Sequence, residues 1–201
     1  MSDNEKSWKN RLIIAFVGMP GSGKSEAVEY LQNKNSSQNK KIPFVRFGDV
    51  NEQERERQGL AWSPGNTERF RNELREKYGM DVYAVRSMPK IEKLLQENNI
   101  IAIDGIYSWE EYKLLKSKFK NLVLVHIYAE PELRYKRLAV RSERKFSYKD
   151  AHARDISEIE KINKGGPIAI ADYLIENNSD RIEDLHKLID LLFDRLKNIF
   201  T

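Results

Sequence analysis

The sequence predicts a three-layer α/β/α fold built on a five-stranded, mainly parallel sheet, with a helical insert and a helical lid. Three observations predict it. Short apolar runs alternate with longer amphipathic ones, the pattern of strands that need crossover helices. The first run, Leu12 to Val17, feeds Gly18-Met19-Pro20-Gly21-Ser22-Gly23-Lys24-Ser25, which matches GxxxxGK[ST] without a gap. A later run, Ile100 to Ile103, ends in Asp104-Gly105.

Gly18, Gly21 and Gly23 allow backbone conformations that a side chain would forbid, so successive N–H groups can turn toward a phosphate. The helix opening near Gly23 adds the positive end of its dipole, with Ser22 inside the cradle. Lys24 supplies a mobile charge for the β- and γ-phosphates, and the Ser25 hydroxyl is placed to ligate Mg²⁺. The expected ligands are ATP and Mg²⁺.

Composition narrows the rest. A chain of 201 residues suits one domain over its whole length, and 40% hydrophobic with 33% charged residues describes an ordinary globular protein. Cysteine is absent, which excludes a disulfide framework and thiol catalysis and agrees with a reducing compartment, so the cytoplasm is expected. No run is apolar enough to cross a bilayer and the first ten residues are polar, so neither a membrane nor a signal peptide is expected. The net charge of +4 is modest. No nucleic-acid motif accompanies the arginines between Arg134 and Arg154, so the expected partner is a small phosphorylated molecule and the chain a monomer or small homo-oligomer.

In chain order, Leu12 to Val17 is the first strand and Gly23 to about Asn33 the helix after it. Pro43 to Phe47 forms a second strand, ending in Gly48-Asp49. Ligands of open α/β sheets collect beyond the carboxyl ends of the strands, so Asp49 should face the same crevice as the glycine-rich loop and orient or deprotonate an acceptor. An insert over about residues 50–98 follows. It opens with the charged stretch Asn51 to Gln58, read as solvated, and continues with a helix capped by Ser63-Pro64. Gly79 separates that helix from a second, Asp81 to Asn98, which Pro89 should bend or interrupt. Arg75 and Arg86 within the insert are expected to grip an acceptor phosphate in bidentate geometry.

The third strand, Ile100 to Ile103, presents Asp104 as a Mg²⁺-binding or acceptor-facing carboxylate of Walker B type. Ser108 and Glu111 make a capping box for a helix ending near Phe119. After the fourth strand, Leu122 to Tyr128, Pro131 opens a helix that aligns Arg134, Arg137 and Arg141, with Arg144 just beyond. Like charges in a stripe need an anion to compensate them, and a triphosphate fits. A second helix from about Tyr148 to Asn163 brings back Arg154, so that about residues 141–155 form an arginine lid. His126, His152 and His186 show no metal-ligand spacing. Gly165-Gly166-Pro167 punctuates the chain before a short strand, Tyr173 to Ile175, whose exit places Asn177 beside a base. A last helix, about Arg181 to Ile199, shows Ile182, Leu185, Leu188, Ile189 and Leu192 on one face.

With these pieces placed, the sequence resembles the P-loop kinases of the nucleoside-monophosphate kinase group, and more narrowly a family of predicted nucleotide kinases related to dephospho-CoA kinase. The resemblance is carried by the P-loop, Gly48-Asp49-Val50, Asp104-Gly105-Ile106, Arg134-x-x-Arg137-Leu138-x-x-Arg141 and Ala171-Asp172-Tyr173-Leu174-Ile175-x-Asn177. It implies the P-loop nucleoside triphosphatase fold, phosphate contacts for Arg137 and Arg141, and an adenine-side role for Asn177. The turn after the third strand departs from both relatives, which carry Pro-Leu-Leu or Asp-Gly-Pro-Arg where this chain has Asp104-Gly105-Ile106-Tyr107-Ser108. The expected reaction is transfer of the γ-phosphoryl group of Mg·ATP to a small nucleotide-like acceptor. A (deoxy)nucleoside monophosphate is preferred over the ribose 3′-hydroxyl of dephospho-CoA. Lys24, Asp49, Arg137 and Arg141 are the expected catalytic groups, and Arg75, Arg86, Asp104, Arg144 and Arg154 the expected acceptor contacts. An ATPase or switch acting on a macromolecule is the rival class. A GTPase switch would need an N-K-x-D motif, and Asn33-Lys34-Asn35-Ser36 and Asn163-Lys164-Gly165-Gly166 both lack its aspartate.

Overall fold

Six consecutive apolar residues form the central strand β1 (Leu12–Val17), and all six are buried. Alternate residues of a strand point to opposite faces, so an apolar residue at every position means that both faces are covered. The computed structural model describes residues 8, 11–34, 41–61, 63–142 and 145–200, without the side chains of 64–68. Arg144, one of the expected acceptor contacts, lies outside the described residues.

β1 pairs in parallel with β3 (Ile100–Asp104) on one side and β4 (Leu122–Tyr128) on the other. The edge strands β2 (Phe44–Arg46) and β5 (Tyr173–Glu176) join β3 and β4, so the order is β2-β3-β1-β4-β5 and every pairing is parallel. The chain leaves β1 toward one half of the sheet and later continues in the other. A crevice therefore opens at the carboxyl end of β1, where the P-loop sits.

The odd face of β1 (Ile13, Ala15, Val17) packs with β3 against α4 (Val82–Glu97) and α5 (Trp109–Lys118). The even face (Leu12, Ile14, Phe16) packs with β4 against α1 (Lys24–Lys34) and α9 (Ile182–Phe200). These are the two outer layers. The insert adds α2 (Asp49–Arg57) and α3 (Pro64–Tyr78) before α4. The lid side adds α6 (Pro131–Ala139), α7 (Tyr148–Glu160) and the short α8 (Gly165–Ala169). α6 and α7 share a small core of Tyr135, Leu138, Phe146 and Ala151.

Four elements differ from the sequence reading, each for a packing reason. α4 runs unbroken through Pro89. A proline inside a helix costs about 3 kcal/mol, but Ile91 and Leu95 are fully buried, and each such side chain returns roughly 2 kcal/mol. Gly165-Gly166-Pro167 is the start of α8 rather than a break, because proline is tolerated in a first helical turn. On α9 the buried stripe is Leu185, Ile189, Leu192, Phe193 and Leu196, which leaves Ile182 and Leu188 outward. Asn51, read as solvated, is buried against the Tyr83 hydroxyl.

Candidate active site

The P-loop takes the conformation that its glycines permit. Gly21 and Gly23 have φ of 81° and 102°, and a Cβ would stand 2.6 Å from the Arg134 carbonyl oxygen at the first and 2.4 Å from Asn177 Nδ2 at the second. Neither position has room for a side chain. The same neighbours hold the outer side of the loop. Asn177 Nδ2 donates to the Ser22 carbonyl at 2.8 Å, and Arg134 Nη1 donates to the Pro20 carbonyl at 3.1 Å. The Ser22 N–H donates to the Met19 carbonyl at 3.2 Å, and with the Pro20 and Ser22 carbonyls drawn outward the loop's remaining N–H groups are left to serve an anion cradle.

Arg134 is fixed for this task. Its two Nη groups donate to both oxygens of Asp155 at 3.0 and 2.6 Å, and Nε donates to the Ala129 carbonyl at 3.1 Å. The arginine stripe of α6 thus divides. Arg134 is buried and props the loop, while Arg137 donates to the Asn177 and Ser179 carbonyls at 2.9 and 2.8 Å and so shapes the base side. Arg141 alone of the three lines the phosphate side as well.

Two cavities meet at Gly21 and Arg141. One, of about 290 Å³, is walled by Gly23, Glu26, Arg137, Asn177, Ser179 and Leu185 and has the size and mixed lining of a nucleoside site. The other, of about 160 Å³, is strongly polar and is lined by Lys24, Ser25, Arg46, Asp49, Asp104, Arg154 and Lys164 among others. Lys24, Ser25, Asp49, Asp104, Arg141 and Arg154 are therefore brought together as the sequence predicts.

Within the polar cavity, Ser25 Oγ donates to Asp104 Oδ2 at 2.9 Å, and Arg46 Nε donates to the same oxygen at 3.0 Å. Lys24 Nζ rests on the Met19 carbonyl at 3.0 Å. Burial, then repulsion from Lys164, lowers its pKa to about 7. Burial also pushes the Tyr107 phenol well above its ordinary range, so it stays neutral and is a donor in this wall. Asp49 opens α2 at the rim, 43% exposed, with Lys90 3.9 Å away.

The residues present fit a Mg²⁺-bound triphosphate. Ser22 Oγ is a buried hydroxyl without a hydrogen-bond partner inside the loop, as expected of a cradle shaped for a ligand's oxygens. Among the described residues no group of three or more His, Cys, Asp or Glu is set to hold a metal. A cation beside Ser25 and Asp104 would take most of its shell from phosphate oxygens and water, which suits Mg²⁺.

The structure does not bring Arg75 or Arg86 to the crevice. Arg75 is buried, donates to Glu111 Oε1 at 3.0 Å and stacks over the Tyr83 ring at 4.4 Å. Glu111 uses its other oxygen for the capping box, accepting from the Ser108 and Tyr107 N–H groups. Arg75 therefore ties the insert to α5. Arg86 lies over Tyr78 at 4.8 Å, with Glu54 at 3.7 Å. Their place at the cavity is taken by Arg46 and Lys164, which sequence reasoning passed over. For Arg46 a signal existed, since its parallel register with Asp104 puts both on one side of the strand ends. For Lys164 the signal was the following glycine pair: a Cβ on Gly166 would meet Trp109 at 2.9 Å, so glycine lets this segment close on α5 and seat the lysine inward.

Residues 14–162 match the AAA domain family. A UPF0200 protein of Thermococcus sibiricus is 32% identical over 197 residues, covering 94% of this chain and all of the relative. Among solved structures, shikimate kinase from Bacteroides thetaiotaomicron aligns with a TM-score of 0.58 at 14% identity, over 91% of this chain and 98% of its own. Shikimate kinase from Acinetobacter baumannii in complex with shikimate aligns at 0.52 and 17%, over 95% and 98%. At such identities the likeness is one of fold alone, the three-layer α/β/α arrangement with an all-parallel five-stranded sheet that this chain shares with those kinases.

Proposed function

The chain belongs to the UPF0200 family and carries an AAA domain, and on that premise we propose that it is a phosphotransferase, moving the γ-phosphoryl group of Mg·ATP to a small acceptor, a nucleoside monophosphate first among candidates. The observation that carries the proposal is the convergence of the P-loop, the Ser25–Asp104 pair and a set of cations on one polar cavity that meets a nucleoside-sized one at Gly21 and Arg141. A hydrolase or mechanical ATPase needs the first two features and the nucleoside-sized cavity as well; the cations that the polar cavity adds to Lys24, above all Arg154 and Lys164, are what favour an anionic acceptor.

In this reading the P-loop amides and Lys24 hold the donor phosphates, and the cavity bounded by Asn177 and Arg137 holds the base. Ser25 and Asp104 hold Mg²⁺, which when bound supplies divalent charge against the phosphate oxygens. Asp49 orients the acceptor from the rim. Arg141 meets charge that develops on the transferring group, Arg154 faces the acceptor, and closure of α6 and α7 excludes water. Phosphoryl transfer asks little covalent chemistry of the protein, so positioning and charge supply most of the rate.

The test is a coupled ADP-release assay with Mg·ATP against all common nucleoside and deoxynucleoside monophosphates and dephospho-CoA, with Lys24→Ala as control. Stimulation by one acceptor, lost in the control, is the expected result. Turnover that no small acceptor raises above basal hydrolysis would overturn it and point to a macromolecular partner.

A further inference from the structure

One buried carboxylate in the crevice is shared by three cations. Glu158 on α7 accepts from Arg71 Nη1 on α3 at 2.9 Å and from Arg154 Nε at 2.9 Å through one oxygen, and binds Lys164 through the other. Glu158 and Lys164 are each 1% exposed. The adjacent carboxylate gives no relief, because Asp155 is taken bidentately by Arg134 and also accepts from the Tyr135 hydroxyl. Asp104 is likewise engaged by Ser25 and Arg46. Asp49 and Glu52, the other carboxylates at this cavity, face Lys90 and Arg55, so among the described residues the cluster itself holds three cations on the single carboxylate of Glu158.

Buried charge is costly unless it is paired. Arg71 stands behind Glu158, whereas Arg154 and Lys164 both line the polar cavity. Lys164 is also built into its place, with Nζ 5.1 Å from the Tyr107 ring centroid and its backbone carried inward by the close seat of Gly166 on Trp109. Neither residue belongs to the P-loop, whose amides and Lys24 serve the donor.

We propose that Lys164 and Arg154 form the subsite for a phosphate monoester carried by the acceptor, a dianion matching the two uncompensated charges. Assigning that phosphate to the acceptor rests on the phosphotransferase reading; the presence of the subsite does not. A dianion fits better than a carboxylate, which would leave one charge over.

The test is calorimetric titration of inorganic phosphate, with acetate as the comparison, into protein saturated with a non-hydrolysable Mg·ATP analogue so that the β- and γ-phosphate positions of the P-loop are both filled. Wild type is expected to bind one phosphate, and acetate at least tenfold more weakly. Lys164→Met, which keeps the stem and removes the charge, is expected to bind phosphate at least tenfold more weakly, with affinity for the Mg·ATP analogue within twofold of wild type. Glu158→Gln, which removes the competing carboxylate, is expected to bind phosphate at least threefold more tightly; a merely structural cluster predicts the opposite. Absence of phosphate binding in wild type overturns the proposal, as does equal binding by Lys164→Met. If Lys164→Met does not fold, equal or weaker binding by Glu158→Gln overturns it. Phosphate binding of the expected kind with no acceptor ever phosphorylated would sink the kinase reading and leave the subsite. Phosphorylation of an acceptor whose KM is unchanged in Lys164→Met would do the reverse.

Discussion

Two buried arginine–carboxylate clusters start one turn apart on α3, at Arg71 and Arg75, and they differ in one respect. At Arg75–Glu111 one cation meets one carboxylate, and that carboxylate's remaining oxygen caps a helix. At Glu158 a single carboxylate serves Arg71, Arg154 and Lys164. The first cluster is balanced and fastens α3 to α5; the second is unbalanced and borders a cavity. Residue type does not distinguish a guanidinium that holds the fold from one that awaits a ligand, whereas the local charge balance does.

The largest effect is expected at the P-loop lysine, which shares its cavity with the unbalanced cluster. Lys24→Met should lower phosphoryl transfer by about 10³-fold, the scale for losing a preorganised charge at the reacting group, while thermal unfolding shows a stable protein. Arg75→Met should strike stability instead, by about 3 kcal/mol in denaturant unfolding, because Glu111 is left buried without its partner. Its nucleotide affinity should not move. Loss of nucleotide affinity in folded Arg75→Met would break the contrast.

The pH dependence sharpens it. Lys24 has a folded-state pKa of about 7, below its unfolded value of 10.5. Below pH 7 it is charged in both states and the burial penalty is present in full. Between pH 7 and 10.5 only the unfolded chain holds the proton, so this group's contribution to stability grows as pH rises. Binding a triphosphate favours the charged form, so affinity should fall as pH rises above 7, by up to about tenfold per pH unit, and Lys24→Met should flatten the slope. Smaller effects follow at the supports. Asn177→Ala removes one bond to the P-loop and should weaken nucleotide binding by about tenfold, in line with one lost buried hydrogen bond. Arg86→Ala, a third exposed and set over Tyr78, should cost less than about 1 kcal/mol in unfolding.

What the sequence made legible was what is local. A strand, a glycine-rich turn and a lysine–serine pair are contiguous, so the donor half of the site could be placed from Gly18 to Ser25 alone. Asp49 and Asp104 followed from a rule about strand ends. The buried partners could not be read this way. Glu111 lies 36 residues beyond Arg75, and Glu158 lies 87 beyond Arg71, so only the packed chain decides which cation each carboxylate takes. The inward and outward leucines of α9 were ambiguous for a similar reason, since the tilt of the helix on the sheet selects the stripe. Lys164 carried the faintest signal, a lysine before two glycines, and its place depends on how closely Gly166 meets Trp109.

The most direct measurement is kcat and KM for the preferred nucleoside monophosphate, with KM for ATP, in Mg·ATP-dependent ADP release by wild type, Lys164→Met and Arg75→Met. Lys164→Met should lower kcat/KM for the monophosphate at least tenfold while KM for ATP stays within about twofold of wild type, and folded Arg75→Met should keep both. An unchanged kcat/KM for the monophosphate in Lys164→Met, or its loss in folded Arg75→Met with Lys164→Met unaffected, would contradict the assignment of the acceptor phosphate to the unbalanced cluster.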